Sequence, residues 1–197
     1  MVSRPVVLGY HGCDEAIAIK IVNGQEGQIP SKNDYDWLGN GFYFWEDSCA
    51  RALKWAEDES RKADSKIKKP AALGAIIDLG NCLNLIDSED LDLVKIAHKT
   101  YVSFCAMTGL EPAKNKGKDF RARYLDKAVF ETLHNVRQDE GKAAFETVRA
   151  FFVEGEPLYE NAGLRSLDHI QICVRDRNNI IGYFLPQPGR KMGRQVA

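Results

Sequence analysis

At 197 residues, with 44% hydrophobic and 28% charged side chains, the chain has room for one globular domain, or one domain with an insertion, around a core of ordinary size. Its 27 Lys and Arg against 28 Asp and Glu leave a net charge of -1, which excludes a global field directed at nucleic acid or an anionic membrane. The apolar runs fall short of the roughly 20 residues of a bilayer span and Met1–Pro5 lacks signal-peptide architecture, so the expectation is a cytoplasmic protein with no membrane partner.

Pro5–Tyr10 reads as a strand leading into His11-Gly12-Cys13, after which Asp14 caps a helix over Glu15–Ile21. A lone histidine at a strand end reads first as a hydrogen-bonded structural residue, and nothing local overturns that. Asn23–Asp36 is loop-like. Trp37–Trp55 is the densest stretch: Gly39 and Gly41 stand among Trp37, Phe42, Tyr43, Phe44 and Trp45. Such a segment packs a core or makes a pocket, since glycine admits a close neighbour and aromatic faces give a flat ligand something to stack on. Gly41–Trp45 has strand propensity, and Asp47 or Ser48 caps a helix with Ala52, Trp55 and Ala56 on one face.

The lysine-rich segment Arg61–Pro70 is a solvated loop or a phosphate contact. Leu73–Leu79, a Gly80-Asn81 turn and Cys82–Leu85 form a strand-turn-strand unit. Asp87 or Ser88 then caps a helix whose apolar stripe is Leu91, Val94, His98, Tyr101 and Cys105, which makes His98 a core or interface histidine; Gly109 and Pro112 end it. Lys114, Lys116, Lys118, Arg121 and Arg123, interleaved with Phe120 and Tyr124, form a solvated loop or a nucleic-acid contact. A helix carrying Leu125, Val129, Leu133 and Val136 follows, then a turn at Gly141 and a segment over 143–153 that changes from helical to strand character. Beyond the polar loop 154–166, His169–Val174, an Asn178-Asn179 turn and Ile180–Leu185 read as a C-terminal hairpin; the tail, with Arg190, Lys191 and Arg194, reads as mobile.

Cys13, Cys49, Cys82, Cys105 and Cys173 include no CxxC pair, and His11, His98, His134 and His169 lack the spacing of a zinc site, so reduced thiols and no bound metal are expected. Neither GxGxxG after a strand nor GxxxxGK[ST] occurs. The element pattern predicts an α+β domain with a mainly antiparallel sheet.

Tyr10-His11-Gly12, then Leu38–Phe44 with its GxGxYF pattern before a helix, then Leu79-Gly80-Asn81, then the strand His169–Val174 occur in one order. This order resembles the ADP-ribosyltransferases of the diphtheria-toxin and poly(ADP-ribose) polymerase type, which carry an H-Y-E triad. Laid on the family's late strand, with Asp176 matched to its aspartate, the glutamate position falls on Gln171, an H-Y-Q variant. The resemblance implies an ADP-ribosyltransferase-like fold, with a mainly antiparallel split sheet and flanking helices, over 1–186. A helical insertion at about 87–140 and a basic tail at 187–197 complete the expected organisation.

It further implies NAD+ as co-substrate, with His11, Tyr43 and Gln171 catalytic and with His11, Gly12, Cys13, Gly41, Tyr43, Ser48 and Trp55 binding it. His11 would hydrogen-bond the adenine-side ribose, the Gly12 backbone would hold the carboxamide, Tyr43 would stack on nicotinamide, and Trp55 or Trp45 would close the other face. Glu154, Glu156 and Arg165 are candidates for the acceptor loop. A neutral amide gives a developing ribose cation less support than a carboxylate and cannot act as a general base, so one ADP-ribose is expected to pass to a protein or nucleic-acid acceptor, without polymer growth. An inhibitory partner is compatible with this activity. The alternatives are a catalytically silent NAD-binding, ADP-ribose-binding or partner-binding module, and an NAD-dependent RNA 2'-phosphotransferase.

Overall fold

The computed structural model describes residues 5–187 other than 35, 118, 119 and 121, so Lys118, Arg121 and the tail residues Arg190, Lys191 and Arg194 lie outside the described residues. The strands are β1 (Val6–Asp14), β2 (Phe42–Glu46), β3 (Pro70–Asp78), β4 (Cys82–Asn84), β5 (Thr147–Phe152), β6 (His169–Val174) and β7 (Ile180–Phe184). The helices are α1 (Glu15–Val22), α2 (Cys49–Ser60), α3 (Ser88–Thr108) and α4 (Tyr124–Asp139). The α+β class holds. The strands form a seven-stranded sheet in the order β4-β5-β6-β2-β1-β3-β7, antiparallel in its described pairs except for parallel β4–β5.

The sheet must curl. Asp78 and Cys82 are four residues apart and reach about 14 Å at full extension, whereas β3 and β4 are separated by four other strands, about 24 Å across a flat sheet at 4.8 Å spacing. The two halves therefore close on a shared core: Phe42 and Phe44 of β2 and Ile172 and Val174 of β6 pack with Ala75 and Ile77 of β3, alongside Leu79. At the seam, Glu146 N–H donates to the Asn81 carbonyl while the Glu146 carboxylate accepts from Asn81 N, and the Thr147 hydroxyl donates to the Leu79 carbonyl.

The second core lies on the other face of β2, β6, β5 and β4, where Leu83, Val148, Ala150 and Cys173 meet Ala97 of α3 and Val129, Phe130 and Leu133 of α4. The Asp87 carboxylate caps α3 by accepting from Glu89 N, and Gly109, at φ 71°, ends it in the left-handed conformation. Both helices fall between β4 and β5 in the chain.

Several sequence expectations are corrected. β1 continues through His11 to Asp14, because β3 pairs with it to the end. The first strand-turn-strand unit forms as β3 and β4, with β3 paired to β1 and β7 and β4 to β5, whereas the C-terminal unit is not the hairpin expected. There β6 has β2 and β5 on its edges, so β7 crosses to β3 after a 3-10 turn at Arg177–Asn179, where the Asn179 amide donates to the Asp78 carbonyl. Residues 143–146 are not helical, and the strand there begins at Thr147. Of the stripe expected on α3, Cys105 is buried and Val94 and Tyr101 pack on the core, whereas Leu91 and His98 are exposed and Ala97 is the buried residue beside them. Among the described residues no helix is long and apolar enough to cross a membrane.

Candidate functional site at the β1–β2 split

β1 pairs with β3 along nine residues but with β2 at only two, Gly9↔Glu46 and Tyr10↔Trp45. Backbone groups alternate between the two edges of a strand. The Leu8 carbonyl accepts from Asp47 N across the β2 side, so the N–H and C=O of Tyr10 and Gly12 point to that side too. Gly12 lies beyond the last β1–β2 pair. Its backbone groups face the split without a ladder partner there.

His11 holds the split open. Its Nδ1–H donates to the Tyr43 carbonyl at 2.9 Å, the acceptor that Gly12 N–H would meet were the ladder to continue. That bond fixes Nδ1 as the protonated nitrogen and leaves Nε2 as an acceptor. Burial holds the imidazole pKa below its ordinary value, with the Tyr43 bond opposing, so the ring is neutral at pH 7. The His11 ring lies on the Phe44 side, at a centroid distance of 6.1 Å.

Gly12 is also where α2 presses on the sheet. A β-carbon there would be driven against the Ala52 carbonyl oxygen and would lie 2.8 Å from the Trp55 ring and 3.3 Å from Ala56. Trp55 thus covers Gly12, and its ring lies 6.0 Å from that of Trp45 at 44°. Ala52 and Ala56, both fully buried, give α2 the flat face this approach needs. Ser48 stands at the N-cap position of α2 without a side-chain cap bond. Cys13 is buried with Ala18, Ile21 and Leu73, and burial, reinforced by Asp14, pushes its thiol up to about 11.

Across the split, the Tyr43 hydroxyl donates to the Gly39 carbonyl at 2.7 Å and accepts from Leu38 N at 3.0 Å, closing the Trp37–Gly41 loop on the ring. Burial, then Cys173 and Asp36, raises the phenol well above the usual tyrosine value, so it stays protonated. Gly39 has φ 87°, and Glu131 of α4 ties the loop down by accepting from Asn40 N. Gly41 serves packing: a β-carbon would lie 2.6 Å from both Cys173 Sγ and the Val174 oxygen, and its N–H and C=O bond Ser31.

Gln171 pairs with Trp45 of β2, while Tyr43 pairs with Cys173, so Gln171 and Tyr43 are diagonal neighbours on one face of the sheet. The Gln171 oxygen accepts from the Trp37 indole N–H at 2.7 Å. Around them stand groups that sequence reasoning did not assign to the site. Trp37 packs on Phe152 at 4.9 Å, the Arg123 guanidinium lies over both rings, and His169 sits between Phe152 and Trp45. Phe152 and Ala150 of β5 pair with His169 and Gln171. The period-2 alternation of His169, Gln171 and Cys173 was the available signal; the distance in sequence between Trp37, Arg123 and Phe152 hid the rest.

The acceptor-loop candidates are tied into their own surroundings. Glu154 is paired with Arg51 at 2.6 Å, and Arg51 also lies over the Trp45 ring. Its backbone N–H and that of Arg165 both donate to Asp168. Arg165 donates to the Gly155 carbonyl, and Glu156 N to Ser166 Oγ. Of the expected site, His11 and Gly12 meet the Tyr43 backbone and Trp55 at the split, while Gln171 lies one strand away, beside Tyr43 and Trp45 on β6. Glu154 stands past His169, on the far side from Tyr43, and the Glu156–Arg165 region forms a closed loop beyond it. Among the described residues no group of three His, Cys, Asp or Glu side chains is placed to hold a metal ion. A cavity of about 440 Å³ lies elsewhere, between α3 and α4, and is lined by Val94, His98, Lys99, Leu125, Val129 and Phe130 among others.

Comparison with known proteins gives one partial likeness, 34% identity over 90 residues to uncharacterized protein MJ0359 of Methanocaldococcus jannaschii, covering 46% of this chain and 38% of that protein. The chain thus matches well under half the length of that relative. No family model and no solved structure matches.

Proposed function

We propose that the chain is an NAD+-dependent mono-ADP-ribosyltransferase with an ADP-ribosyltransferase-like split-sheet fold. The observation that carries the reading is the split, where the His11 ring takes the Tyr43 carbonyl and leaves Gly12 N–H and C=O without a β2 ladder partner beneath Trp55. One donor and one acceptor side by side complement a carboxamide, which offers a carbonyl oxygen and an NH2 group. The acceptor Nε2 of neutral His11 suits a ribose hydroxyl, which can donate to it.

In the proposed reaction the nicotinamide–ribose bond breaks with its electron pair going to the nicotinamide nitrogen. A nucleophile on a protein or nucleic-acid acceptor then bonds the ribose carbon and loses its proton. Gln171 stands where a carboxylate stands in the related H-Y-E sites. Being neutral, it gives the ribose cation less support than a carboxylate would and takes no proton from a sugar hydroxyl, so transfer stops at one ADP-ribose. Five free thiols suit the reducing cytoplasm in which the reading sets the reaction. An inhibitory partner belongs to the same reading.

The test is nicotinamide release from labelled NAD+, with and without cell lysate. Release that needs lysate, with mass spectrometry finding a single added ADP-ribose on a macromolecule, is the expected result; a ladder of heavier products refutes single transfer. A second reading, an NAD-binding module without turnover, draws on the Trp37 bond to the Gln171 oxygen. Retained NAD+ binding with no release in any lysate selects it.

A further inference from the structure

We infer that Trp37 is a positioning residue that turns the Gln171 amide so that its nitrogen, and not its oxygen, faces the β1–β2 split; the kinetic consequence rests on the transfer reading above. An indole N–H only donates, so the atom of Gln171 that meets it at 2.7 Å is the amide oxygen. The direction of approach follows from the packing. Trp37 rests on Phe152 of β5, and β5 flanks β6 on the side opposite β2. With the oxygen held by Trp37 on the β5 side, the NH2 group is the end of the amide left for the β2 side, where Trp45 pairs with Gln171 at the point at which the β1–β2 ladder ends.

The indole is itself fixed. The Arg123 guanidinium lies 4.9 Å from the Trp37 ring centre and 4.5 Å from that of Phe152, and Asp126 holds it at 3.2 Å. These contacts join α4, β5 and the loop before β2, so Trp37 cannot swing away without breaking a stacked group. Gln171 is left with its positive dipole end toward the ribose, where positive charge develops. That orientation restrains bond cleavage relative to an oxygen in the same place. Trp37 is therefore a brake on turnover.

The test is a double-mutant cycle of Trp37→Phe and Gln171→Glu, read by nicotinamide release and by NMR of the 15N-labelled protein without NAD+. Phe keeps the ring on Phe152 and Arg123 but has no N–H, so the amide can turn over. Trp37→Phe alone is expected to raise kcat about tenfold with KM for NAD+ within about twofold. A carboxylate has no wrong end, so on the Gln171→Glu background the same change should leave kcat unaltered. An equal rise in both backgrounds, or an unchanged or lower kcat in the single variant, overturns the inference. In the NMR experiment the Trp37 indole proton should exchange slowly in the parent, and the Gln171 side-chain amide signals should shift in Trp37→Phe. Fast indole exchange overturns the hydrogen bond whether or not the protein uses NAD+. If the NMR signature holds while NAD+ neither binds nor reacts in any variant, the transfer reading and the brake fall together and the positioning alone stands.

Discussion

Replacing Gly12 by alanine adds one methyl group where α2 meets β1. The new carbon would overlap the Ala52 carbonyl oxygen and stand 2.8 Å from the Trp55 ring. A flexible side chain would give way, but the first obstacle is helix backbone, and Ala52 itself is fully buried. Relief requires α2 to lift from the sheet, opening the contact among Trp45, Ala52 and Ala72. Overpacking of this kind costs about 1–3 kcal/mol, and a backbone obstacle argues for about 2 kcal/mol or more. For a chain of this length that is a fall in Tm of about 4–8 °C. Urea denaturation followed by tryptophan fluorescence reads it directly, since the Trp55 ring meets the added carbon and Trp45 packs beside Trp55. If the urea midpoint of Gly12→Ala equals that of the parent, the close approach of α2 is wrong, and so is the assignment of Gly12 as the position where Trp55 closes the split.

Tyr43→Phe keeps the ring but strands the N–H of fully buried Leu38, so urea denaturation should show a loss of about 1–3 kcal/mol. The same variant should still release nicotinamide, whereas Tyr43→Ala should not; equal activity in the two would remove the ring from the site. His134 provides a pH test. Burial, followed by the Arg175 and Arg137 cations, lowers its pKa to about 3, while the unfolded chain takes a proton near the usual value of about 6.5. Below about pH 6.5 the unfolded state binds more protons, so stability falls with pH by up to about 1.4 kcal/mol per unit toward pH 3. His134→Phe should flatten that slope between pH 6.5 and 5; a parallel profile would show a charged His134. Arg149 binds both oxygens of Glu46 at 2.5 and 2.8 Å, joining β5 to β2, and Arg149→Met should cost about 1.5–3 kcal/mol in the same urea assay.

Local features of the fold were legible in the sequence. Asp14 and Asp87 announced α1 and α3 because a short carboxylate before a helix satisfies a free N–H, a matter of adjacent residues alone. The alternation in β2 and β6 fixed which side chains share a face, and so put Tyr43 and Gln171 together once the strands pair. Strand partners were not legible. Asn178-Asn179 read as a hairpin turn and Gly80-Asn81 gave no partner for its two strands; the strands found their edges elsewhere, where burial of Ile77, Ile172 and Val174 in a curled sheet outweighs local turn preference.

The sequence by itself determined the candidate residues: a glycine at position 12, a histidine beside it, an aromatic strand and a glutamine on the late strand. These are chemical identities, and no folding changes them. Only the tertiary structure decided what each is free to do. His11 is held to the Tyr43 carbonyl, Glu154 is taken by Arg51, and Gln171 is oriented by an indole 134 residues away in the chain. Such assignments depend on hydrogen-bond partners brought together by packing, and packing is set by the burial of the whole core rather than by any local run of residues.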